Sequence, residues 1–290
     1  MRPGYEDREI AEDQDSRPLP PEDVLSFPLV DRWRNRFWRM VGDVVTEDVT
    51  AEFVRNPPEY VVSDDLGWLD EIVMRVTGTA VDMKELVATR LVRDYRAFRA
   101  AHGTRTDDVG QFYKRGLRIL RAGEVEDRAR AIFLGGALGG ATEERLAAAI
   151  DDIGARRPEG GREGVLYFCA DERSLVTRTG GCGHYLVYGS EYLFCLGMRV
   201  VDRWEAKRVL KSIGRPTVLI CDIPMTLMRE RLIREFGGMM VERAFCEQLP
   251  DQESHSGSPW AGTALSIPDD LPSDCIVGHY HPAIVHDPLH

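Results

Sequence analysis

The chain has 290 residues, 43% hydrophobic and 29% charged, with a formal net charge of −11. That balance describes a globular protein and argues against coating nucleic acid over the whole surface, although 37 Lys and Arg leave room for a local basic groove. No run of about 18 apolar residues is present, so no membrane helix is expected, and Met1 to Pro21 lack the apolar core of a signal peptide, so a cytoplasmic location is expected.

Residues 1–25 read as a flexible acidic arm, poor in apolar anchors and rich in turn formers. From 24 to about 55 the spacing of Trp33, Phe37, Trp38 and Val41 predicts helical pieces that bury one face. Asn56-Pro57-Pro58 interrupts them, and further helices are expected over 64–76 and 81–94. Residues 26–94 thus form a helical N-terminal region before a main domain at 95–290. That domain opens on a strand, YRAFRAAHGT, ending in a Gly-Thr turn. Thr106, Asp107 and Asp108 offer caps for a helix that presents Val109, Phe112 and Tyr113 and stops at Gly116. Another helix is expected over 141–154. Beyond it, 165–170, 185–188, 192–201, 217–223 and 275–277 read as short strands, with helices at 203–213 and 225–236. The fold class is therefore α+β.

Four stretches could carry chemistry. His102-Gly103-Thr104-Arg105 places an imidazole and a guanidinium beside a glycine that lets a flat ligand approach the backbone. In Gly164 to Ala170, followed by Ser174, a glycine leads into an apolar strand with Tyr167 and Phe168, where an aromatic ring can stack on a ligand or simply pack in a core. Gly183 to Tyr192 is dense in Tyr and Gly, with Tyr188, Ser190 and Glu191 suited to a ligand edge or to a plain hairpin. Asp274 opens the strand Cys275-Ile276-Val277, where a carboxylate can face a cleft or lie in an exposed loop. The six cysteines contain no CxxC pair, which fits reduced thiols rather than a zinc knuckle. No P-loop, GxGxxG or GxSxG sequence is present.

Taken in order, His102-Gly103-Thr104, Gly116-Leu117, Gly164 to Ala170 with Ser174, and Asp274 to Val277 followed by His281-Pro282-Ala283-Ile284 resemble the ADP-ribosyltransferase superfamily. The likeness covers about 95–290, and it is greatest to the poly-ADP-ribose-polymerase-like and DNA-modifying toxin-like branches. It implies a split β-sheet core behind an N-terminal helical region, and NAD as the substrate that supplies ADP-ribose. It also implies roles for single residues. His102 would hold a ribose and Tyr167 would stack on nicotinamide, with Tyr188 as its substitute. Arg105 would meet the diphosphate, and Asp274 would steady the oxocarbenium-like charge. Gly103, Thr104 and Ser190 complete the set. The family usually carries Glu where this chain has Asp274, and Glu191 and Glu247 are the alternative carboxylates. The implied activity is mono-ADP-ribosylation of an intracellular protein, DNA or RNA, toxin-like or defence-like, with an inhibitory partner protein as a further expectation.

Two rival readings stand beside it. One is a metal-dependent hydrolase built on Cys182-Gly183-His184 and His279-x-His281, with His286 and His290. The other is an inactive relative that binds a nucleotide without turning it over.

Overall fold

The computed structural model describes residues 18–136, 138–157, 161–177, 181–249 and 264–289; most of the arm expected at 1–25 lies outside them. In chain order the elements are β1 (Val24–Leu25), α1 (Val30–Val41), α2 (Glu47–Arg55), α3 (Gly67–Thr77), α4 (Met83–Asp94), β2 (Ala97–Thr106), α5 (Gly110–Arg115) and α6 (Ala122–Ala129). There follow α7 (Glu143–Ile153), β3 (Leu166–Cys169), α8 (Arg173–Val176), α9 (His184–Tyr188), α10 (Glu191–Val200), α11 (Arg203–Lys211), β4 (Arg215–Pro224), α12 (Glu230–Cys246), β5 (Ala264–Ile267) and β6 (Ile276–Tyr280). The protein is α+β, and its described residues form two compact units. One holds 100–222 and 264–289 together with 18–19; the other holds 20–99 and 223–249.

In the helical unit, α1 to α4 occur where hydrophobic spacing places them. Buried Trp33, Phe37, Met40 and Val41 recur along one face of α1. Thr46 caps α2 by accepting from Val49 N at 3.4 Å, and Asp82 caps α4 by accepting from Glu85 N at 2.8 Å. The rings of Phe53, Trp68 and Phe245 meet with centroids 4.9–5.6 Å apart. Helix α12 contributes Phe245 and thereby joins the N-terminal helices in one core. Close approach depends on its glycines, since a Cβ on Gly238 would lie 2.2 Å from the Ser63 carbonyl oxygen.

The other unit is organised by a sheet ordered β5-β3-β2-β4-β6. Strand β3 is antiparallel to β5, with Leu166 opposite Ile267, and to β2, with Ala101 opposite Cys169. Strands β4 and β6 are also antiparallel, with an irregularity between Ile220 and Cys221. Ala101, Cys169, Leu175, Val176, Leu186, Val218, Ile220 and Tyr280 form one core cluster. A second cluster, around Phe133, Leu146, Tyr192, Phe194 and Leu196, lies among the helices.

Two expected strands are helices. Residues 185–188 fall in α9 and 192–201 in α10. An unbroken apolar run fits either a buried strand or a buried helix, and here the caps decide. Gly189 ends α9 with φ +77°, and Ser190 opens α10 by accepting from Leu193 N at 3.3 Å. Gly197 in α10 packs against Phe133, whose Cζ would stand 2.4 Å from an added Cβ. The Gly-Thr turn expected at 103–104 is likewise absent, because β2 runs on to Thr106.

Candidate functional site

Strands β2 and β3 bring His102 and Tyr167 together in the sheet-bearing unit. Tyr167 is 38% exposed, whereas its neighbours Leu166 and Phe168 are buried. Strand alternation thus turns the tyrosine ring away from the core. His102 lies on β2, its ring 5.7 Å from that of Phe168. Its Nδ1 is 2.8 Å from the Tyr167 carbonyl oxygen. A carbonyl only accepts, so Nδ1 carries the proton and Nε2 keeps a lone pair. Burial pushes the imidazole below its usual range, and the bond to the Tyr167 carbonyl only partly opposes this. His102 is therefore neutral at physiological pH.

An open cleft of about 300 Å³ lies here, lined by His102, Gly103, Tyr167, Tyr185, Ser190 and the segment 115–121. Gly103 lets α8 and α9 pack directly on β2, because a Cβ there would stand 2.8 Å from Leu175 Cδ2 and 3.2 Å from Tyr185 Cβ. On the other side of the cleft, α5 ends at Gly116 with φ +76°. A Cβ at that position would lie 2.1 Å from the Leu271 carbonyl oxygen, and the next residue, Leu117, bridges to Leu271. Glycine is thus required both by conformation and by space.

Other sequence-expected residues go elsewhere. The Arg105 guanidinium donates to the carbonyls of Leu186, Lys211, Ile213 and Gly214 at 2.7–3.0 Å. It clamps the turn between α11 and β4, and no free fork is left to meet a diphosphate. Thr104 lies on β2 outside the cleft lining. Tyr188 is buried, stacked on Phe194 with centroids 4.1 Å apart, and its hydroxyl donates to Asp287 at 2.5 Å. A ring committed on that face and at its hydroxyl is core, not a platform for nicotinamide. Asp274 lies in a short 3-10 turn before β6, exposed and outside the cleft lining.

Glu191, directly after Ser190, stands at a charged cluster. Arg162 donates to it at 2.6 Å, His184 Nε2 approaches to 3.6 Å, and the Tyr185 hydroxyl is 3.5 Å away. His184 and Arg162 together outweigh burial and hold its carboxyl at about 2. Glu247 belongs to the helical unit, paired with Arg34 and Arg243 at 2.9 Å each.

Neither family models, curated proteins nor solved structures match this chain.

Sequence reasoning passed over the cationic edge of the cleft. Arg115, Arg118 and Arg121 recur every third residue, a spacing visible in R-G-L-R-I-L-R. Arg118 forks onto Glu124 at 2.8 and 3.1 Å, and Arg121 reaches Asp270 at 3.1 Å. Arg115 is exposed and makes no ion pair among the described residues.

The histidine pair near the C-terminus is brought together, with ring centroids 5.5 Å apart. His279 Nδ1 is 2.9 Å from the Tyr113 hydroxyl, and His281 Nδ1 lies 3.0 Å from the Pro216 carbonyl. Among the described residues no three His, Cys, Asp or Glu converge as a metal-binding group. No helix among them is long and apolar enough to cross a membrane.

Proposed function

We propose that the cleft binds NAD and that the protein is a mono-ADP-ribosyltransferase. The observation that carries this reading is the pairing, on adjacent strands, of a neutral His102 whose Nε2 is free to accept with a partly exposed Tyr167 ring. In this reading Nε2 accepts from a ribose hydroxyl and Tyr167 stacks on nicotinamide. Arg115 takes the diphosphate contact in place of Arg105. The glycosidic bond to nicotinamide breaks, and nicotinamide leaves with the bonding electrons. An acceptor nucleophile then attacks the ribosyl carbon and gives up its proton. Positive charge builds on the sugar between these events, so a nearby carboxylate lowers the barrier.

Two carboxylates compete for that role. Asp274 follows the segment that bridges to Leu117 on the cleft wall, but its side chain is exposed. Glu191 also lies outside the cleft lining, but it is the stronger candidate, since it is firmly ionised, follows Ser190 of the wall and lies 3.5 Å from the hydroxyl of Tyr185, another wall residue. The acceptor is an intracellular protein or nucleic acid.

The test is nicotinamide release from NAD by the purified chain, with and without cell extract. Release should fall roughly 10²-fold in His102→Ala and in Tyr167→Ala. Glu191→Gln should cost more activity than Asp274→Ala. NAD binding without release identifies an inactive nucleotide binder. Neither binding nor release removes the transferase reading.

A further inference from the structure

The helical unit contains a second cavity, larger than the cleft, at about 710 Å³. Its wall is built from one face of α1. Arg32, Arg36 and Arg39 fall at i, i+4 and i+7, so their side chains rise from the same side of the helix. Arg93 and Tyr95, at and just beyond the end of α4, close the opposite side.

Guanidinium groups on a helix surface usually meet carboxylates. Here three of the four make no ion pair among the described residues. Arg32 donates to the Pro20 carbonyl at 2.8 Å. Arg36 donates to the carbonyls of Glu22, at 2.7 Å, and Asp94. Arg39 makes only a long 3.4 Å contact to the Asn35 carbonyl. Carbonyls leave the positive charge uncancelled and most of the five N–H groups of each fork unused. Three carboxylates also line the cavity. Asp94 is held by Arg93 at 2.6 Å, and Asp31 approaches Arg34 at 3.4 Å. Arg36 also acts on the Asp94 charge, so the excess of positive charge is modest, four lining guanidiniums against three carboxylates.

A second observation comes from Tyr95. The residue is only 3% exposed, and its hydroxyl is buried without a hydrogen-bond partner. Arg36 lies over its ring, 4.4 Å from the centroid. An unpartnered buried hydroxyl is costly in a finished interior, and a group bound in the cavity that Tyr95 lines would supply the missing partner.

The geometry points to a binding site for a small phosphorylated anion, one carrying a diphosphate group, in the arginine-lined cavity of the helical unit. Planar forks spaced along a helix match the paired oxygens of successive phosphates. The volume suits a small molecule. Its lining shares no residue with the cleft around His102 and Tyr167, and the assignment does not depend on the transferase reading.

Pyrophosphate is the probe, titrated into the full chain by calorimetry. Saturable binding is expected, weakening as salt rises from 50 to 300 mM. Arg32 and Arg39 are exposed, so the Arg32→Gln/Arg39→Gln double variant should keep its circular dichroism and lose roughly tenfold or more in affinity. If the double variant does not fold, each single variant, read in the same way, should lose a few-fold. Repeated in the cleft variant His102→Ala/Arg115→Ala, which removes any diphosphate contact at the cleft, the α1 substitutions should cost the same affinity. Absence of saturable binding, or unchanged affinity on the α1 substitutions in either background, would each overturn the assignment. Citrate binding as tightly as pyrophosphate would overturn the choice of phosphate over carboxylate.

Discussion

At the scale of single residues, protonation states follow from burial and neighbours. His102 illustrates this. Its half-buried imidazole carries one proton, on Nδ1, because the Tyr167 carbonyl fixes the tautomer. Since burial lowers its titration, the Nε2 acceptor should persist below the ordinary histidine value of about 6.5. On the proposed NAD reading, affinity for NAD, followed by calorimetry from pH 8 to 5, should therefore stay level through 6.5 and weaken only further down. A midpoint at or above 6.5 would contradict the assigned role. A second case is the thiol pair in the same unit. The Cys169 thiol beside Cys182 lowers the latter, and His184 adds to the effect; Cys169 itself is pushed up. Cys182 is half-buried and Cys169 fully buried. Iodoacetamide at pH 7.5 should thus label Cys182 well ahead of Cys169, as mass spectrometry of the digested protein would read.

At the scale of elements, glycines fix where chain segments meet. Gly116 has positive φ and no room for a Cβ against Leu271. Gly116→Ala should cost about 2–4 kcal/mol, by denaturant unfolding, since both strain and a backbone clash oppose it. Gly78, also at positive φ but with open space around it, should cost only about 1 kcal/mol on the same change. The contrast separates steric need from conformational need. Much of this level was legible in the sequence. The strands carrying His102 and Tyr167, the helix stopping at Gly116 and the helices over 26–94 follow from hydrophobic period and turn chemistry. Segments 185–188 and 192–201 were misread because a wholly apolar run loses the periodicity that distinguishes strand from helix. The Ser190 cap was in the sequence but read as a turn. Arg105 and Tyr188 illustrate a different limit. Their partners, four carbonyls between 186 and 214 and a carboxylate at 287, are remote in sequence. No local pattern announces such contacts. The α1 arginine face, by contrast, is spaced at i, i+4 and i+7 in the sequence, and the site proposed there rests on Arg32, Arg36 and Arg39 making no ion pair among the described residues.

At the scale of the whole molecule, the −11 net charge and the depressed carboxyls set the response to acid. Glu191 is held at about 2 by His184 and Arg162. Burial tends to raise Asp287, but the Tyr188 hydroxyl, the Leu289 amide, Lys211 and Lys207 together bring it below the usual range. A group whose folded value is depressed stabilises the fold fully above its unfolded value, and that contribution is lost as pH falls through the folded value. For Glu191 the window runs from about 4.3 down to about 2. His102 acts with the same sign at a higher pH. The unfolded imidazole takes up a proton near 6.5 while the folded one resists, so acidification below about 6.5 already favours unfolding. Asp70 runs the other way, its carboxyl raised by burial. The melting temperature should accordingly decline gently from pH 6.5 to 5 and steeply below about 4.5. Glu191→Gln removes one titrating group and leaves Arg162 without its carboxylate, so it should lower stability by on the order of 1–2 kcal/mol at pH 7. Toward pH 2.5 its deficit relative to the parent chain should shrink, because there the parent has lost much of the same interaction. Thermal unfolding of both chains by circular dichroism across pH 7 to 2.5 checks this. A deficit constant with pH would mean that Glu191 supports the fold by packing and not by charge.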